Sequence, residues 1–218
     1  MEKLLRIAID GPSGAGKSTM AKILAKDLNI DYIDTGAMYR AIALKIFRTG
    51  IDPNNAEDLA KLLKETDVDY SKGSVFLDGE NVDGFIRTQE VSEMASVSSA
   101  IPAVREKLVA LQKAMGERKS LVMDGRDIGT NVLTGAECKF FLTASAHVRA
   151  LRRAKEYEEK GLPCNVEQVE ADIQTRDYRD SHRATNPLKQ ADDAVLIDSS
   201  DMTIGEVVDE MKKYIQKV

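Results

Sequence analysis

The sequence has little of what disulfide-bonded, zinc-binding and membrane-spanning proteins contain. It has two cysteines and two histidines in 218 residues, and Cys138 and Cys164 make neither a disulfide framework nor a CxxC pair. Two histidines are too few for a zinc site. No apolar run approaches the length of a membrane span, and the run at residues 4–9 is short and interrupted by Arg6, unlike a signal peptide. We therefore expect a cytoplasmic protein with no membrane partner.

The sequence also lacks an excess of basic residues. Lysine and arginine together number 31 against 36 acidic residues, which leaves a formal net charge of −5. A general nucleic-acid-binding protein usually carries a basic surface, so this balance argues against a nucleic acid as partner. The composition, 43% apolar and 31% charged, is typical of a globular protein, and the length suits one domain with insertions.

The stretch IAIDGPSGAGKST at residues 7–19 contains a phosphate-binding motif. Gly11, Gly16, Lys17 and Ser18 match G-x-x-x-x-G-K-[ST], with a strand pattern before the motif and a helix pattern after it. Glycines let successive N–H groups turn toward an anion, and the helix that follows adds the positive end of its dipole. We expect Lys17 to reach the β- and γ-phosphates of a nucleoside triphosphate and Ser18 to ligate Mg²⁺. The predicted ATP-binding residues of the loop are Gly11, Pro12, Ser13, Gly14, Ala15, Gly16, Lys17, Ser18 and Thr19.

Further short apolar runs at residues 31–34, 121–124, 139–142 and 194–198 are separated by helical patterns. This alternation predicts an α/β protein whose core is a parallel sheet with helices on both faces, as in P-loop NTPases. The last helix pattern has a capping box of Thr203 and Glu206 and an apolar stripe of Ile204, Val207, Val208, Met211 and Ile215.

Two segments depart from this alternation. One combines an acidic helix with hairpin-like pieces and a turn signal at Asp78-Gly79, and the other is highly charged and broken by Gly161 and Pro163. We expect a single domain over residues 1–218, with a core of about 1–51, 101–148 and 188–218, an insert of about 52–100, and a helical segment of about 149–187.

Polar and charged residues follow two of the predicted strands. Thr35, Tyr39 and Arg40 come after the second strand, and Arg126 and Asp127 follow the strand at 121–124. Ligands of such sheets bind beyond the carboxyl ends of the strands, so we expect these loops and the phosphate loop to line one crevice.

A helix face predicted in the charged segment carries Arg176, Asp180 and Arg183 at i, i+4 and i+7. The alternative is a solvated, salt-bridged helix face, which is the usual interpretation of a charge run. The sequence has no N-K-x-D motif, which argues against a GTPase. ATP with a nucleoside monophosphate brings about six negative charges, of which one Mg²⁺ offsets about two. Arginines concentrated in an acidic protein therefore favour phosphoryl transfer between two anions.

In these residues the sequence resembles the bacterial cytidylate kinases of the nucleoside monophosphate kinase family. The matching motifs, in order, are IDGPSGAGKST, DTGAMYRAIA, IRTQEV, VREKL, MDGRDIGT and RDYRDSHRA. The resemblance implies direct in-line transfer of the γ-phosphoryl group of ATP, with Mg²⁺, to CMP or dCMP, giving CDP or dCDP. It also implies that the insert binds the monophosphate and that the charged segment is a lid. We expect a monomer.

The resemblance assigns roles to matching positions. By this resemblance the acceptor phosphate is bound by Thr35, Tyr39, Arg40 and Arg126. The ribose is bound by Arg176 and Asp180, and the cytosine pocket is lined by Ser96, Arg105, Asp127 and Arg183. The lid arginines expected to close on ATP are Arg149, Arg152 and Arg153. The catalytic set is Lys17, Arg126, Asp127 and Arg176.

Two carboxylates keep an alternative interpretation. Asp124 is a candidate to hold Mg²⁺ through water, and equally a turn-forming residue that caps local N–H groups. Asp127 either recognises the base or has a local role, in which it caps the turn after Gly125 or orients Arg126. The rival functions are a kinase of the same class for UMP, AMP or shikimate, and a non-catalytic nucleotide switch.

Overall fold

The computed structural model describes residues 4–159 and 161–218. The strands are β1 (Arg6–Asp10), β2 (Asp31–Asp34), β3 (Val68–Ser71), β4 (Ser74–Leu77), β5 (Glu80–Asn81), β6 (Leu121–Gly125), β7 (Cys138–Thr143) and β8 (Val195–Asp198). The helices are α1 (Lys17–Asp27), α2 (Thr35–Thr49), α3 (Ala56–Lys64), α4 (Gln89–Ser98), α5 (Pro102–Gly116), α6 (Ala146–Glu159), α7 (Val166–His182) and α8 (Ile204–Ile215), with a π-helix at Ile128–Val132. The chain divides into two compact units, residues 4–30 with 120–218, and residues 31–119.

The main sheet has five strands in the order β2-β6-β1-β7-β8. The pairs β1–β6, β1–β7 and β7–β8 are all parallel. Asp10, the last residue of β1, lies opposite Gly125 of β6 and Phe141 of β7, so the carboxyl ends of these strands coincide. Ile7 and Ile9 of β1 are fully buried, as expected of a central strand covered on both faces. The predicted α/β fold with a parallel sheet is confirmed.

Helix α8 begins with the capping box that the sequence predicts. The Thr203 side chain accepts from the Glu206 N–H group, and the Glu206 carboxylate accepts from the Thr203 N–H group. The predicted apolar stripe is buried at Val207, Val208, Met211 and Ile215. Its first member, Ile204, is instead 56% exposed. Helical side chains point toward the N-terminus, so a residue in the first position extends past the packed face.

Helices α6 and α7 fill the charged segment. Gly161, with a φ of +68°, follows α6, and Asn165 caps α7 by accepting from the Gln168 N–H group. The helices share a small apolar cluster, formed by Ala150, Val169 and Ile173 with Ala146, Tyr157 and Val166 packed against it. This part of the chain therefore has apolar anchors that its composition did not suggest. Its role as a lid stays a prediction.

The unit of residues 31–119 contains α2 to α5 and a three-stranded antiparallel sheet in the order β3-β4-β5. The predicted turn at Asp78-Gly79 joins β4 to β5, and both residues have positive φ angles, +52° and +83°. This is the backbone that a two-residue hairpin turn requires. Within the described residues, no helix is long and apolar enough to cross a membrane.

Candidate active site

The phosphate loop has the backbone that its glycines predict. Gly11, Gly14 and Gly16 have φ angles of +147°, +79° and +93°, in the region that favours glycine. A Cβ atom added to Gly11 would lie 1.9 Å from the carbonyl oxygen of Leu142 in β7, so no side chain fits there. Gly16 is the N-cap of α1, which places the first N–H groups of that helix at the loop.

The side chain of Lys17 packs against the backbone of its own loop. Its Nζ donates to the Pro12 carbonyl oxygen at 2.7 Å, and the residue is only 6% exposed. Burial, together with the charge of Arg126, lowers the pKa of Lys17 to about 7, although Asp124 and Asp10 act in the opposite direction. The lysine therefore lies in an environment that lacks the negative charge it would need to stay fully protonated at neutral pH.

The two predicted Mg²⁺ ligands are in contact. The Ser18 Oγ donates to Asp124 Oδ2 at 2.8 Å. Asp124 lies inside β6 and is 4% exposed, so the alternative of a turn-forming aspartate does not fit its position. A hydroxyl and a carboxylate oxygen belong to the oxygen-only ligand set that Mg²⁺ prefers.

Arg126 and Asp180 form a partly buried ion pair at the end of β6. The Arg126 Nε donates to Asp180 Oδ2 at 2.8 Å. Burial alone raises the pKa of Asp180, but the charge and hydrogen bond of Arg126, with the charges of Arg176 and Arg183, outweigh it and lower the pKa. Burial likewise disfavours the charged form of Arg126, yet Asp180 raises its pKa. Both groups are therefore ionised at neutral pH, and the guanidinium has a fixed orientation.

Asp127 and Arg183 form a second and more buried pair. The Arg183 Nη2 donates to Asp127 Oδ1 at 2.9 Å, and each side chain is 7% exposed. The Asn131 Nδ2 donates to Asp127 Oδ2 at 3.1 Å. Asp127 is the N-cap of the π-helix but makes no side-chain capping hydrogen bond to it. Arg183 lies just beyond the end of α7, not on its face as predicted, and its Nε donates to the Asn186 carbonyl oxygen at 2.7 Å.

The lid arginines differ in their surroundings. Arg149 is 4% exposed and donates to the Ser13 carbonyl oxygen of the phosphate loop at 2.9 Å. It also makes a two-pronged ion pair with Asp177 of α7, at 2.6 and 3.1 Å. Arg152 donates to the backbone and side chain of Ser199, and Arg153 is half-buried. The structure therefore joins α6 and α7 to the phosphate loop through Arg149.

In the unit of residues 31–119, the predicted acceptor residues lie on α2. Thr35 begins this helix and is 3% exposed, while Tyr39 and Arg40 are half-buried one turn later. The Arg105 guanidinium of α5 lies 5.7 Å from the centroid of the Tyr39 ring, within cation–π distance. Arg105 is 2% exposed. The structure thus places one predicted phosphate residue against one predicted base residue within this unit.

The fourth predicted member of the cytosine pocket, Ser96, lies half-buried on α4. Its carbonyl oxygen accepts from the Ser99 hydroxyl at 3.3 Å. The Ser99 carbonyl oxygen in turn accepts from Arg105 Nη1 at 3.4 Å. The end of α4 is therefore linked to the buried arginine of α5.

Comparison with known proteins identifies the family of this chain. A family model described as cytidylate kinase matches residues 7–217. The chain belongs to the cytidylate kinase family. The cytidylate kinase of Clostridium botulinum (strain Okra / Type B1) is 47% identical over 213 residues, which cover 98% of each chain. That of Desulforamulus reducens is 52% identical over 214 residues, 97% of this chain and 96% of its own. The resemblance stated from the motifs is confirmed.

Solved structures match at much lower identity. An uncharacterised protein from Eubacterium ventriosum has a TM-score of 0.55 at 15% identity, covering 99% of this chain and 100% of its own. Shikimate kinase from Bacteroides thetaiotaomicron has a TM-score of 0.50 at 13% identity, covering 98% and 99%. At these identities the likeness shows the fold alone, and it agrees with the predicted kinase fold.

Three groups near the cytidylate kinase motifs were missed by sequence reasoning. Asp10 is buried and accepts N–H bonds from Ile128 and Gly129. Asp177 lies in the charge run of α7 but pairs with a residue of α6. Arg87, inside the IRTQEV motif, donates to Asp34 Oδ2 at 3.2 Å. A sequence signal existed for Asp10 alone, because a charged residue at the end of a buried strand is uncommon.

Proposed function

We propose that this chain transfers the γ-phosphoryl group of ATP directly to CMP or dCMP. The observation that carries the proposal is the Arg126–Asp180 ion pair, 2.8 Å between Nε and Oδ2, in the same unit as the phosphate loop of a cytidylate kinase family member. A nucleotide switch holds one anion and has no use for a second set of oriented arginines. A phosphoryl-transfer enzyme must hold two.

At the donor side, we propose that the loop N–H groups and Lys17 hold the β- and γ-phosphates of ATP. Ser18 and, through water, Asp124 would hold Mg²⁺, whose role is to neutralise charge on the phosphates. Within the described residues no cluster of three or more His, Cys, Asp or Glu side chains is placed to hold a metal ion. This suits Mg²⁺, which usually keeps several waters and binds protein through one or two oxygens with substrate phosphates.

At the acceptor side, we propose that Thr35, Tyr39, Arg40 and Arg126 bind the phosphate of CMP. Arg176 and Asp180 are assigned to the ribose, whose hydroxyl groups can donate to a carboxylate. The ionised state of Asp180 supports this assignment, because only a carboxylate accepts through both oxygens.

For base recognition, we propose Ser96, Arg105, Asp127 and Arg183. Cytosine presents an N4 amino donor where uracil presents an O4 acceptor, so a carboxylate at Asp127 attracts the first and repels the second. A carboxylate can accept about four hydrogen bonds, so Asp127 can hold Arg183 and Asn131 and still accept from N4. Arg105 would donate to the N3 and O2 acceptors of the base.

Catalysis in this proposal is alignment and charge stabilisation, with no covalent intermediate. Lys17, Arg126 and Arg176 stabilise charge on the transferring group, and Asp127 fixes the acceptor through its base. We propose that Arg152 and Arg153 of the lid close on ATP. Arg149 would act through the loop backbone, because it is buried against the Ser13 carbonyl oxygen.

The test is a coupled assay of ADP release with CMP, dCMP, UMP, AMP, shikimate or no acceptor. We expect turnover with CMP and dCMP that exceeds turnover with every other acceptor at least tenfold. ATP consumption that does not depend on an acceptor would favour a nucleotide switch. Faster turnover with UMP, AMP or shikimate would favour another kinase of the same class.

The donor assignment has its own test. Lys17→Ala should lower kcat by at least about a hundredfold, the loss typical of one electrostatic stabiliser of the transition state. Lys26→Ala, an exposed lysine on the last turn of the same helix, is the matched control and should keep full activity. Retention of more than a tenth of wild-type turnover by Lys17→Ala would contradict the assignment.

We further propose that the enzyme works as a monomer in the cytoplasm. Sedimentation at micromolar concentration should give the mass of a single chain, and a dimer mass would contradict the first part.

A further inference from the structure

Asp10 is a buried carboxylate that the proposed reaction does not use directly. It is the last residue of β1, is 4% exposed, and directly precedes Gly11 of the phosphate loop. Its Oδ1 accepts from the Ile128 N–H group at 2.8 Å, and its Oδ2 accepts from the Gly129 N–H group at 2.7 Å. The carboxylate therefore joins the end of β1 to the first two residues of the π-helix.

The two ends of this bridge belong to different parts of the site. Gly11 opens the phosphate loop on one side, while Arg126 and Asp127 directly precede the π-helix on the other. Strand β1 is held by parallel pairing on both edges, so the Asp10 end is fixed. The first N–H groups of a helix lack partners within it, and here a single side chain satisfies two of them.

We propose that Asp10 is a positioning residue that fixes the backbone after Asp127 relative to the phosphate loop, and so aligns the acceptor nucleotide with ATP. This inference rests on the proposed function. Asp10 is not a catalytic residue, because each of its oxygens accepts a backbone N–H bond and the side chain is buried. It acts through the turn that carries Arg126 and Asp127.

The energetics of Asp10 support a functional role over a purely structural one. The pKa of Asp10 is raised to about 6, chiefly by burial and also by the charge of Asp127. The two N–H bonds and the charge of Lys17 act in the opposite direction. An acid with a raised pKa destabilises the folded protein when it is ionised, as Asp10 is at neutral pH. Stability alone therefore does not explain a carboxylate at this position.

Gly129 shows how closely the turn approaches the carboxylate. A Cβ atom added at Gly129 would lie 3.4 Å from Asp10 Oδ2 and 3.2 Å from Cδ of Lys139. A methyl group there would be in ordinary contact with the carboxylate, and the turn or the Lys139 side chain would have to move by a few tenths of an ångström. Gly129→Ala is therefore a milder perturbation at the same contact as a substitution of Asp10, without changing the charge of either residue.

The experiment compares Asp10→Asn and Gly129→Ala with the wild type. An amide has one acceptor oxygen and a donating NH₂ group, so one of the two backbone N–H groups would face a donor in Asp10→Asn. Leaving a buried N–H group without an acceptor typically costs enough for a tenfold effect. We expect the KM for CMP to rise about tenfold and the ratio of kcat/KM for CMP over UMP to fall about tenfold. The Kd for MgATP should stay within about threefold.

The matched control is Glu137→Gln. Glu137 directly precedes β7 of the same sheet and also accepts a backbone N–H bond, from Arg6 at 2.8 Å, but it lies at the amino ends of β1 and β7, away from the predicted site loops. It should leave both KM values and the CMP/UMP ratio unchanged. All assays are run well below the unfolding midpoint of each variant. If Asp10→Asn does not fold, the decision rests on Gly129→Ala, which should shift the same parameters in the same direction.

Two outcomes would overturn the positioning role. In one, the variants lose activity toward CMP and UMP in parallel, with an unchanged KM for CMP. In the other, the MgATP affinity falls more than the CMP affinity. Failure of the proposed function looks different, because the wild type itself would then show no CMP-dependent release of ADP.

Discussion

Because Lys17 is buried in the free protein, we expect its protonation state to change when MgATP binds. Its pKa is about 7 in the free protein, against an ordinary value of 10.5, a difference equivalent to about 5 kcal/mol of lost preference for the charged form. The β- and γ-phosphates of ATP would supply the missing negative charge and return the pKa toward its ordinary value. Binding of MgATP should therefore draw a proton from solution.

The size of the uptake follows from this pKa. Free Lys17 is about one-tenth protonated at pH 8, so binding there should take up about 0.9 proton, falling to about 0.5 at pH 7 and 0.1 at pH 6. The affinity for MgATP should weaken about fivefold between pH 7 and pH 8, because a larger share of the free enzyme must then be protonated. Asp10, with a pKa of about 6, is almost fully ionised at pH 8 and adds little to the signal.

The assay is isothermal titration of the protein with MgATP, without CMP, at pH 8 in two buffers that differ in ionisation enthalpy. The change in observed heat between the buffers gives the number of protons exchanged. Lys17→Ala should bind more weakly and take up no proton, while Lys26→Ala should match the wild type. Uptake below about 0.3 proton by the wild type, or equal uptake by Lys17→Ala, would refute the argument that burial neutralises the free lysine.

Three further predictions concern the base, the lid and the loop. Asp127→Asn should lower the CMP/UMP ratio of kcat/KM at least about tenfold, since an amide can donate to O4 of uracil; parallel loss of both activities would move base recognition elsewhere. The amides of Gly161, Leu162, Cys164 and Asn165 should exchange rapidly in the free protein and slowly with both nucleotides bound, while residues 7–10 stay protected throughout. Equal exchange with and without ligands would contradict a closing lid. Gly11→Ala should lower the free energy of unfolding by about 3 kcal/mol or more, because a Cβ there overlaps a carbonyl oxygen of β7. Gly205→Ala, whose added Cβ meets nothing within 4 Å, is the control and should be neutral or slightly stabilising by denaturant titration.

Much of the site could be predicted from the sequence because its chemistry is local. The phosphate loop needs glycines with positive φ, a lysine and a hydroxyl at fixed spacing, and these requirements appear directly in residues 11–18. The loop after β6 was predictable for a related reason. The parallel strands β1 and β6 bring their carboxyl ends together, so polar residues that follow β6 are candidates for the site of the phosphate loop.

What the sequence did not predict depends on contacts between distant segments. Asp10 binds backbone N–H groups 118 and 119 residues away, and no side-chain pattern marks a backbone donor. Asp177 pairs with Arg149 only because α6 and α7 pack side by side. Arg183 has helical spacing from Arg176 and Asp180, but α7 ends at His182, one residue before it. The sequence has no glycine or proline at that point to mark the end of the helix.

Under the proposed function, the pairing of arginines with carboxylates would let an acidic protein select a nucleoside monophosphate over a simple anion. Arg126 is held by Asp180, and Arg183 by Asp127, so each guanidinium is oriented but partly neutralised. A bare phosphate ion would satisfy the arginines and leave the carboxylates facing extra negative charge. CMP brings ribose hydroxyls and an N4 amino group that can donate to those carboxylates, so all four groups gain partners at once. Inorganic phosphate should therefore compete with CMP only weakly, although it carries a similar charge.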